Sequence, residues 1–368
     1  DLKVGVVHVT SFAPFPATQL VDALKGVKAI TVIERMDNPL AQSNPLVQAI
    51  KAAFADALTG NSYGSNGEFK YPKVTRIPKI VACSAGLGSR DVIGGHFIAM
   101  VKNMLAEKPR EYFTVGIKHA LTLTEGEDPD LRPEGAFSMR GHSVGGFGSV
   151  TTNKLIASFV GELFNLHVQA YPKYGSEKKG LPTTYYLTVA EKHIRTHSEL
   201  AHVEFIPLND VNAFNLGNPL DGIADEGSVF IQSPETDPQR VWDHIPAYGQ
   251  KIIRNKRLKV FYLDTVKIAK EIATDPDLQQ RMQGVCLVGI FIKVTPFASR
   301  SGMGDDQVLG AVEKYIRKYF GKRGEHVVQE NLKCVREGLK SVMEVPWSII
   351  SAPAQPKVKA EEEVVFAK

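Results

Sequence analysis

Short runs of β-branched residues alternate with segments of helical period from the N-terminus onward, and this alternation confines the chain to an α/β architecture. The opening run Val4-Gly-Val-Val-His-Val9 reads as a buried strand, interrupted by Pro14-Phe-Pro16. Leu20, Val21 and Leu24 then mark a short helix that Gly26 closes, and residues 29–33 form the next strand. Asn44 and Pro45 open a longer helix whose apolar residues Leu46, Ile50, Phe54 and Leu58 recur every four positions, with Gly60 as its exit. Residues 79–82 form another strand, feeding Gly86-Leu-Gly-Ser89 and a helix through Met104 that holds Asp91 in its first turn.

Between Leu121 and Gly135 the chain loses all periodicity in a run of acids, prolines and glycines, so the domain boundary is expected there. Beyond it, a strand over 136–139, a glycine-rich loop over 141–148 and a helix over 151–164 begin a new unit. Strands are expected at 168–171, 184–189, 203–208, 228–232, 259–263 and 285–294, making a second α/β sheet with an antiparallel portion. Val328, Leu332, Val335, Leu339 and Val342 give one apolar face to a helix that Pro346 limits, and a Pro- and Glu-rich tail follows. The expected layout is two consecutive Rossmann-like, doubly wound domains: 1–120, a linker at 121–135, 136–345, and a tail at 346–368. A length of 368 residues suits two domains.

Charge and cysteine usage narrow the function classes. The net charge of +4 is too small to argue for nucleic acid. The basic clusters Arg254, Lys256, Arg257, Lys259 and Lys314, Arg317, Lys318, Lys322, Arg323 read as solvated faces or subunit contacts. Cys83, Cys286 and Cys334 are too few and too scattered for an iron–sulfur cluster or a four-cysteine zinc site, and their scarcity fits a reducing cytoplasm. No apolar run is long enough to cross a bilayer, and no secretion signal is evident.

The run Arg140-Gly-His-Ser-Val-Gly-Gly-Phe-Gly-Ser149 between a strand and a helix is the main candidate site, because backbone N–H groups and a helix dipole there favour an anion. Three readings compete. Gly141-His-Ser-Val-Gly145 satisfies G-x-S-x-G, which would make Ser143 a nucleophile with Asp264 and His326 as triad partners in chain order. Gly146, Phe147 and Gly148 would delay the helix behind that serine, and no HGGG-type oxyanion loop precedes it. A dinucleotide fingerprint needs an acid at the end of the next strand, where Val168-Gln-Ala-Tyr-Pro172 has none, and Glu177 lies in a charged loop beyond. The third reading is a phosphate-binding or close-approach loop built on Gly145, Gly146 and Gly148, helped by Ser143, Ser149 and Lys154.

Other constellations have plain structural explanations. Gly86, Gly88, Ser89 and Asp91 let a strand turn closely into a helix. His193 and His197 stand four residues apart without a third metal ligand. Asn209-Asp-Val-Asn212 follows a strand and suits a turn at a sheet's carboxyl edge, and Cys83 is a small buried residue.

The segment Gly145-Gly-Phe-Gly-Ser-Val-Thr-Thr-Asn-Lys-Leu-Ile-Ala157, followed by Tyr171-Pro-Lys-Tyr-Gly-Ser-Glu-Lys-Lys-Gly180, resembles the start of the gamma domain of 2-oxoacid:ferredoxin oxidoreductases. Ala13-Pro-Phe-Pro16, Ile33-Glu-Arg-Met-Asp-Asn-Pro39, Ala85-Gly-Leu-Gly-Ser-Arg-Asp91 and Tyr112-Phe-Thr-Val-Gly-Ile117 resemble the transketolase-C-terminal-like domain that precedes it and the join between the two. The resemblance runs in order over about residues 1–345. It implies oxidative decarboxylation of a 2-oxoacid, pyruvate above all, to acyl-CoA and carbon dioxide, with electrons passed to ferredoxin. The family complex uses thiamine diphosphate with magnesium, iron–sulfur clusters and coenzyme A. Here the thiamine motif and the cluster cysteines are absent, so thiamine- and cluster-binding subunits are the expected partners and no catalytic residue is assigned to this chain. The resemblance also implies that Ser143, Gly145, Gly146, Gly148, Ser149, Lys154 and Lys173 border coenzyme A, although Val144 and Phe147 stand where gamma domains carry other residues. A serine hydrolase and a non-catalytic scaffold are the alternatives.

Overall fold

The computed structural model describes residues 2–63, 66–173, 182–197, 199–210, 212–297 and 302–353, and the chain divides into two compact units, Asp1–Leu131 and Arg132–Lys368.

The first unit is built on α1 (Ala17–Leu24), β1 (Ala29–Glu34), α2 (Pro45–Thr59), the two-residue strands β2 (Ser62–Tyr63) and β3 (Phe69–Lys70), β4 (Lys79–Ser84), α3 (Gly94–Leu105) and β5 (Tyr112–Thr114). Strands β1, β4 and β5 form a parallel sheet in that order, and β2 pairs with β3 in a separate ribbon. Leu20, Val21, Val47, Ile50, Phe54 and Val32 make its main core; of the four apolar residues spaced along α2, Ile50 and Phe54 are buried and Leu46 is half-buried, whereas Leu58 near the helix end is 44% exposed. Gly60 ends α2 with φ 78°, the left-handed conformation that a helix exit favours. The helix start is capped from a distance: the Glu34 carboxylate at the end of β1 accepts the N–H groups of Leu46 (2.8 Å) and Val47 (3.2 Å). Asn44 instead spans to the Met36 carbonyl and Ser84.

Two expectations fail in this unit. Residues 4–9 form no strand and residues 2–8 are exposed, because no neighbouring backbone pairs with them among the described residues. Asp91 precedes α3 instead of entering its first turn, since Gly86, Gly88 and Ser89 all take positive φ and postpone the helix to Gly94. The acidic run after Leu121 is bonded to the unit: Leu121 and Leu123 exchange backbone hydrogen bonds with Thr114, Glu125 meets His96 at 2.5 Å, and Asp128 accepts the Gly95 N–H.

The second unit contains β6 (Phe137–Val144), α4 (Ser149–Leu163), β7 (His167–Lys173), β8 (Pro182–Ala190), β9 (Val203–Leu208), β10 (Ile223–Gln232), α5 (Pro238–His244), α6 (Ala247–Asn255), β11 (Lys259–Leu263), α7 (Thr265–Ile272), α8 (Pro276–Val294), α9 (Asp305–Phe320), α10 (Glu325–Ser341), β12 (Met343–Glu344) and α11 (Trp347–Ile350). Its seven-stranded sheet runs β12-β11-β10-β9-β6-β8-β7. The four central strands β11, β10, β9 and β6 are parallel, while β8 is antiparallel to both β6 and β7, and β12 is antiparallel to β11. This is the mixed α/β sheet expected. One face packs on α4, α7, α8, α9 and α10, and the other on α5, α6 and α11.

Residues 285–294, expected as a strand, are the second half of helix α8. A continuous apolar run fits a central strand or a helix enclosed on all sides, and α8 is the second kind, with Val285, Leu287, Val288, Ile290, Phe291 and Ile292 all buried. It lies against α10 at a crossing where both helices carry glycine: a Cβ on Gly338 would stand 2.1 Å from the Cys286 carbonyl oxygen, and one on Gly289 2.0 Å from that of Val335.

Candidate functional site at the carboxyl edge of the second sheet

Strand β6 is longer than expected. Gly141, His142, Ser143 and Val144 continue its ladder against Tyr185, Thr184, Thr183 and Pro182 of β8, so the glycine loop shrinks to residues 145–148. The reason lies in long-range partners for its polar side chains. Arg140 donates to the carbonyls of Leu200 (3.0 Å), Pro219 (3.2 Å) and Asp221. Gly141 leaves room for the buried Tyr185 ring, which a Cβ would meet at 1.9 Å, and the Tyr185 hydroxyl donates to Asn209 Oδ1 at 2.7 Å.

The remaining loop is a turn in which the Phe147 N–H donates to the Val144 carbonyl, with Gly146 at φ 101° in the third position, where glycine avoids a steric penalty. Gly148, at φ 78°, is the residue before α4; a Cβ there would come 2.5 Å from the Arg281 carbonyl oxygen on α8. Gly284 of α8 lets the Phe147 carbonyl approach in the same way. Gly148 therefore serves the close approach of loop and helix, whereas Gly146 is exposed at the tip.

Helix α4 has no side-chain cap, so no N-cap side chain takes up its first-turn N–H groups. Ser149 is buried at its start and Lys154 is exposed in its second turn. The Ser143, Thr152 and Asn153 side-chain oxygens Oγ, Oγ1 and Oδ1 are buried without a hydrogen-bond partner among the described residues. Lys173 ends β7, the strand two places from β6, and its ammonium pairs with Glu199. Strand spacing places it roughly 10 Å from the line of β6. The glycine turn and Lys173 thus share one edge of the sheet at different strands. The Tyr174 to Gly180 part of the basic motif, Glu177 included, lies outside the described residues.

On the other side of β6, the N–H groups of Asn209 (2.8 Å) and Asp210 (3.2 Å) both donate to the His142 carbonyl, fixing the loop after β9 beside the glycine turn. The chain leaves β6 through α4 to one side of the sheet, whereas β9, β10 and β11 extend it to the other. This reversal of strand order is where ligands settle in open α/β sheets. The sequence reading gives Asn209 a turn at the sheet's carboxyl edge and assigns no role to His142. Burial, and then the neighbouring Arg140 guanidinium, push the His142 imidazole down to about 4 against an opposing bond to Pro219, and its Nε2 has no partner among the described residues.

The hydrolase geometry is not assembled here. Ser143 stands inside β6 and not on a strand-to-helix turn, Asp264 caps α7 by accepting the Lys267 N–H while also bonding to Gln232, and His326 sits in the first turn of α10. No three His, Cys, Asp or Glu side chains converge on a metal position among the described residues. Burial lifts the Cys83 thiol to about 12, and Cys286 is raised by its bond to Cys334 and then by burial, so these thiols stay protonated. Their number and arrangement do not fit an iron–sulfur cluster. Among the described residues no helix is long and apolar enough to cross a membrane.

Residues 138–341 match the family described as pyruvate ferredoxin/flavodoxin oxidoreductase, more than half of the chain. The chain belongs to that family. Residues 1–72 match core domain II of pyruvate:ferredoxin oxidoreductase. A pyruvate-flavodoxin oxidoreductase of Trichormus variabilis is 28% identical over 357 residues, covering 96% of this chain and 28% of that protein. The pyruvate:ferredoxin oxidoreductase of Moorella thermoacetica is 26% identical over 362 residues, covering 97% and 28%. The chain therefore spans less than a third of the length of these relatives. Among solved structures, a pyruvate oxidoreductase subunit from Thermotoga maritima aligns with a TM-score of 0.42 and 19% identity over 57% of this chain and 99% of that one. A 2-oxoglutarate:ferredoxin oxidoreductase from Magnetococcus marinus, solved with 2-oxoglutarate, coenzyme A and succinyl-CoA, aligns at 0.42 and 16% identity over 56% and 31%.

Proposed function

We propose that this chain is the coenzyme A and partner side of a 2-oxoacid:ferredoxin oxidoreductase, with pyruvate as substrate and the thiamine and iron–sulfur chemistry carried by other polypeptides in the cytoplasm. The first unit is the transketolase-C-terminal-like domain and the second the gamma domain. In the complex, the thiamine group supplies the carbanion chemistry that releases carbon dioxide, and the clusters accept electrons for ferredoxin.

The contribution of this chain is binding and orientation. The observation that carries the reading is the uncapped start of α4 behind the Gly146 turn, at the reversal of strand order. First-turn N–H groups aligned with the helix dipole favour an anion such as the phosphates of coenzyme A. Lys154 lies one turn further on and adds positive charge. Gly145, Gly146 and Gly148 let the backbone approach, Ser149 and Ser143 supply hydroxyls beneath it, and Lys173 borders the edge, its charge shared with Glu199.

In the assembled complex, Gly146→Asp and Lys154→Ala are each expected to weaken coenzyme A about five- to tenfold by calorimetry, the scale of about 1 kcal/mol for one charge at a helix start. Pyruvate affinity should stay the same. Unchanged coenzyme A affinity in both variants removes the loop from the binding site.

A further inference from the structure

The glycine turn has a charged neighbour that its own stretch of sequence does not supply. Helix α8 meets the turn through Arg281 and Gly284, which stand three positions apart and so share one helix face. A Cβ on Gly148 would lie 2.5 Å from the Arg281 carbonyl oxygen and 3.2 Å from the Arg281 Cα, while one on Gly284 would lie 2.8 Å from the Phe147 carbonyl oxygen and 3.1 Å from Thr152 Oγ1. The Arg281 main chain is therefore held against the residue that precedes α4. Its side chain is exposed and has no carboxylate partner among the described residues.

The other cations of this edge are committed elsewhere or sit further along. Lys173 is paired with Glu199, Arg140 is tied to the carbonyls of Leu200, Pro219 and Asp221, and Lys154 belongs to the second turn of α4. A separate observation points to a ligand at the same place. Ser143, at the end of β6, and Thr152, in the first turn of α4, are each only 1% exposed, and their hydroxyl oxygens have no hydrogen-bond partner among the described residues. Leaving a buried hydroxyl unpaired is costly, so such groups mark positions where a bound molecule completes the hydrogen bonding.

We propose that Arg281 clamps a phosphoryl group of coenzyme A against the uncapped start of α4 and makes this edge selective for a phosphorylated acyl acceptor over a bare thiol. This rests on the coenzyme A reading above and adds to it the residue that sets the preference. A guanidinium presents paired donors in a fixed plane that match two phosphate oxygens, whereas the Lys154 ammonium is a point charge. The first-turn N–H groups of α4 meet the same anion from the other side.

Calorimetry on the assembled complex with coenzyme A, dephospho-coenzyme A and unphosphorylated pantetheine tests the proposal. Arg281→Gln is expected to weaken coenzyme A about tenfold or more, the scale of one charge-assisted hydrogen bond, and to leave pantetheine and pyruvate binding unchanged. Arg281→Lys should restore part of the loss. A loss that disappears with dephospho-coenzyme A assigns the ribose phosphate to Arg281, and one that persists assigns the diphosphate; either supports the clamp. The side chain is exposed, so both variants should unfold at the denaturant midpoint of the unaltered chain. Unchanged coenzyme A affinity in Arg281→Gln, with Lys154→Ala still weakening it, overturns the role of Arg281 and leaves the proposed function standing. Equal losses for coenzyme A and pantetheine also overturn it, because the arginine then shapes the turn without touching a phosphate. Unchanged affinity in Arg281→Gln, Lys154→Ala and Gly146→Asp alike overturns both.

Discussion

Phe291→Ala is expected to destabilise the second unit by about 3–5 kcal/mol, the range for truncating a fully enclosed phenylalanine. Phe291 sits in α8 with its ring edge-on to Phe137 (6.0 Å between centroids) and Phe159 (6.1 Å), and it stacks on Phe297 at 5.6 Å. These rings come from the first strand of the unit, the helix after the glycine turn, and the segment after α8. Removing the central ring therefore loosens the support of β6 and α4 together. Urea unfolding followed by tryptophan fluorescence should show the lower midpoint, since Trp242 is buried in the other face of the same sheet. A loss below about 1 kcal/mol would mean that α8 does not organise this core.

The second large effect is pH dependence through His142. Its folded-state value of about 4 lies below the ordinary value of 6.5, with burial as the main cause and Arg140 as the next. The neutral imidazole is thus the form the fold favours, and the unfolded chain binds the proton first. His142 contributes its full stabilisation above pH 6.5 and loses it as the pH falls towards 4, a change of about 3 kcal/mol. Urea midpoints for the unaltered chain and His142→Gln, measured at pH 7 and pH 4, should show this difference as an extra acid sensitivity of the unaltered chain. Parallel pH profiles in the two proteins would show that His142 is not the group responsible.

Much of the architecture was legible because several elements are bounded by residues with a single physical meaning. Strands β9 and β11 match their expected limits to the residue, since each apolar run begins and ends at polar or turn-forming neighbours. Helix α2 was framed by Asn44-Pro45 and Gly60. The failures share a cause, which is that the deciding partner is distant in sequence. Residues 285–294 are apolar except for the exposed Lys293, so only the helices around them decide between strand and helix. Residues 4–9 have strand composition but no paired neighbour among the described residues. Polar Arg140, His142 and Ser143 looked like loop residues until the carbonyls of Leu200, Pro219 and Asp221 came to meet Arg140.

The candidate site was legible in part for the same reason. Glycines between a strand and a helix pointed to the start of α4, and that is where the uncapped N–H groups lie. Spacing could not tell Gly141 and Gly148, needed for Tyr185 and Arg281 to approach, from Gly146, which is exposed at the turn. Nor could it show that Glu199 takes up the Lys173 charge or that the loop after β9 is tied to His142.

The central claim is that this chain shapes a binding edge and depends on other polypeptides for its chemistry. Pyruvate- and coenzyme A-dependent reduction of a viologen dye, followed with the chain alone and with the purified complex, tests it most directly. Reduction in the complex and none by the chain alone is the predicted result. Turnover by the isolated chain would contradict it.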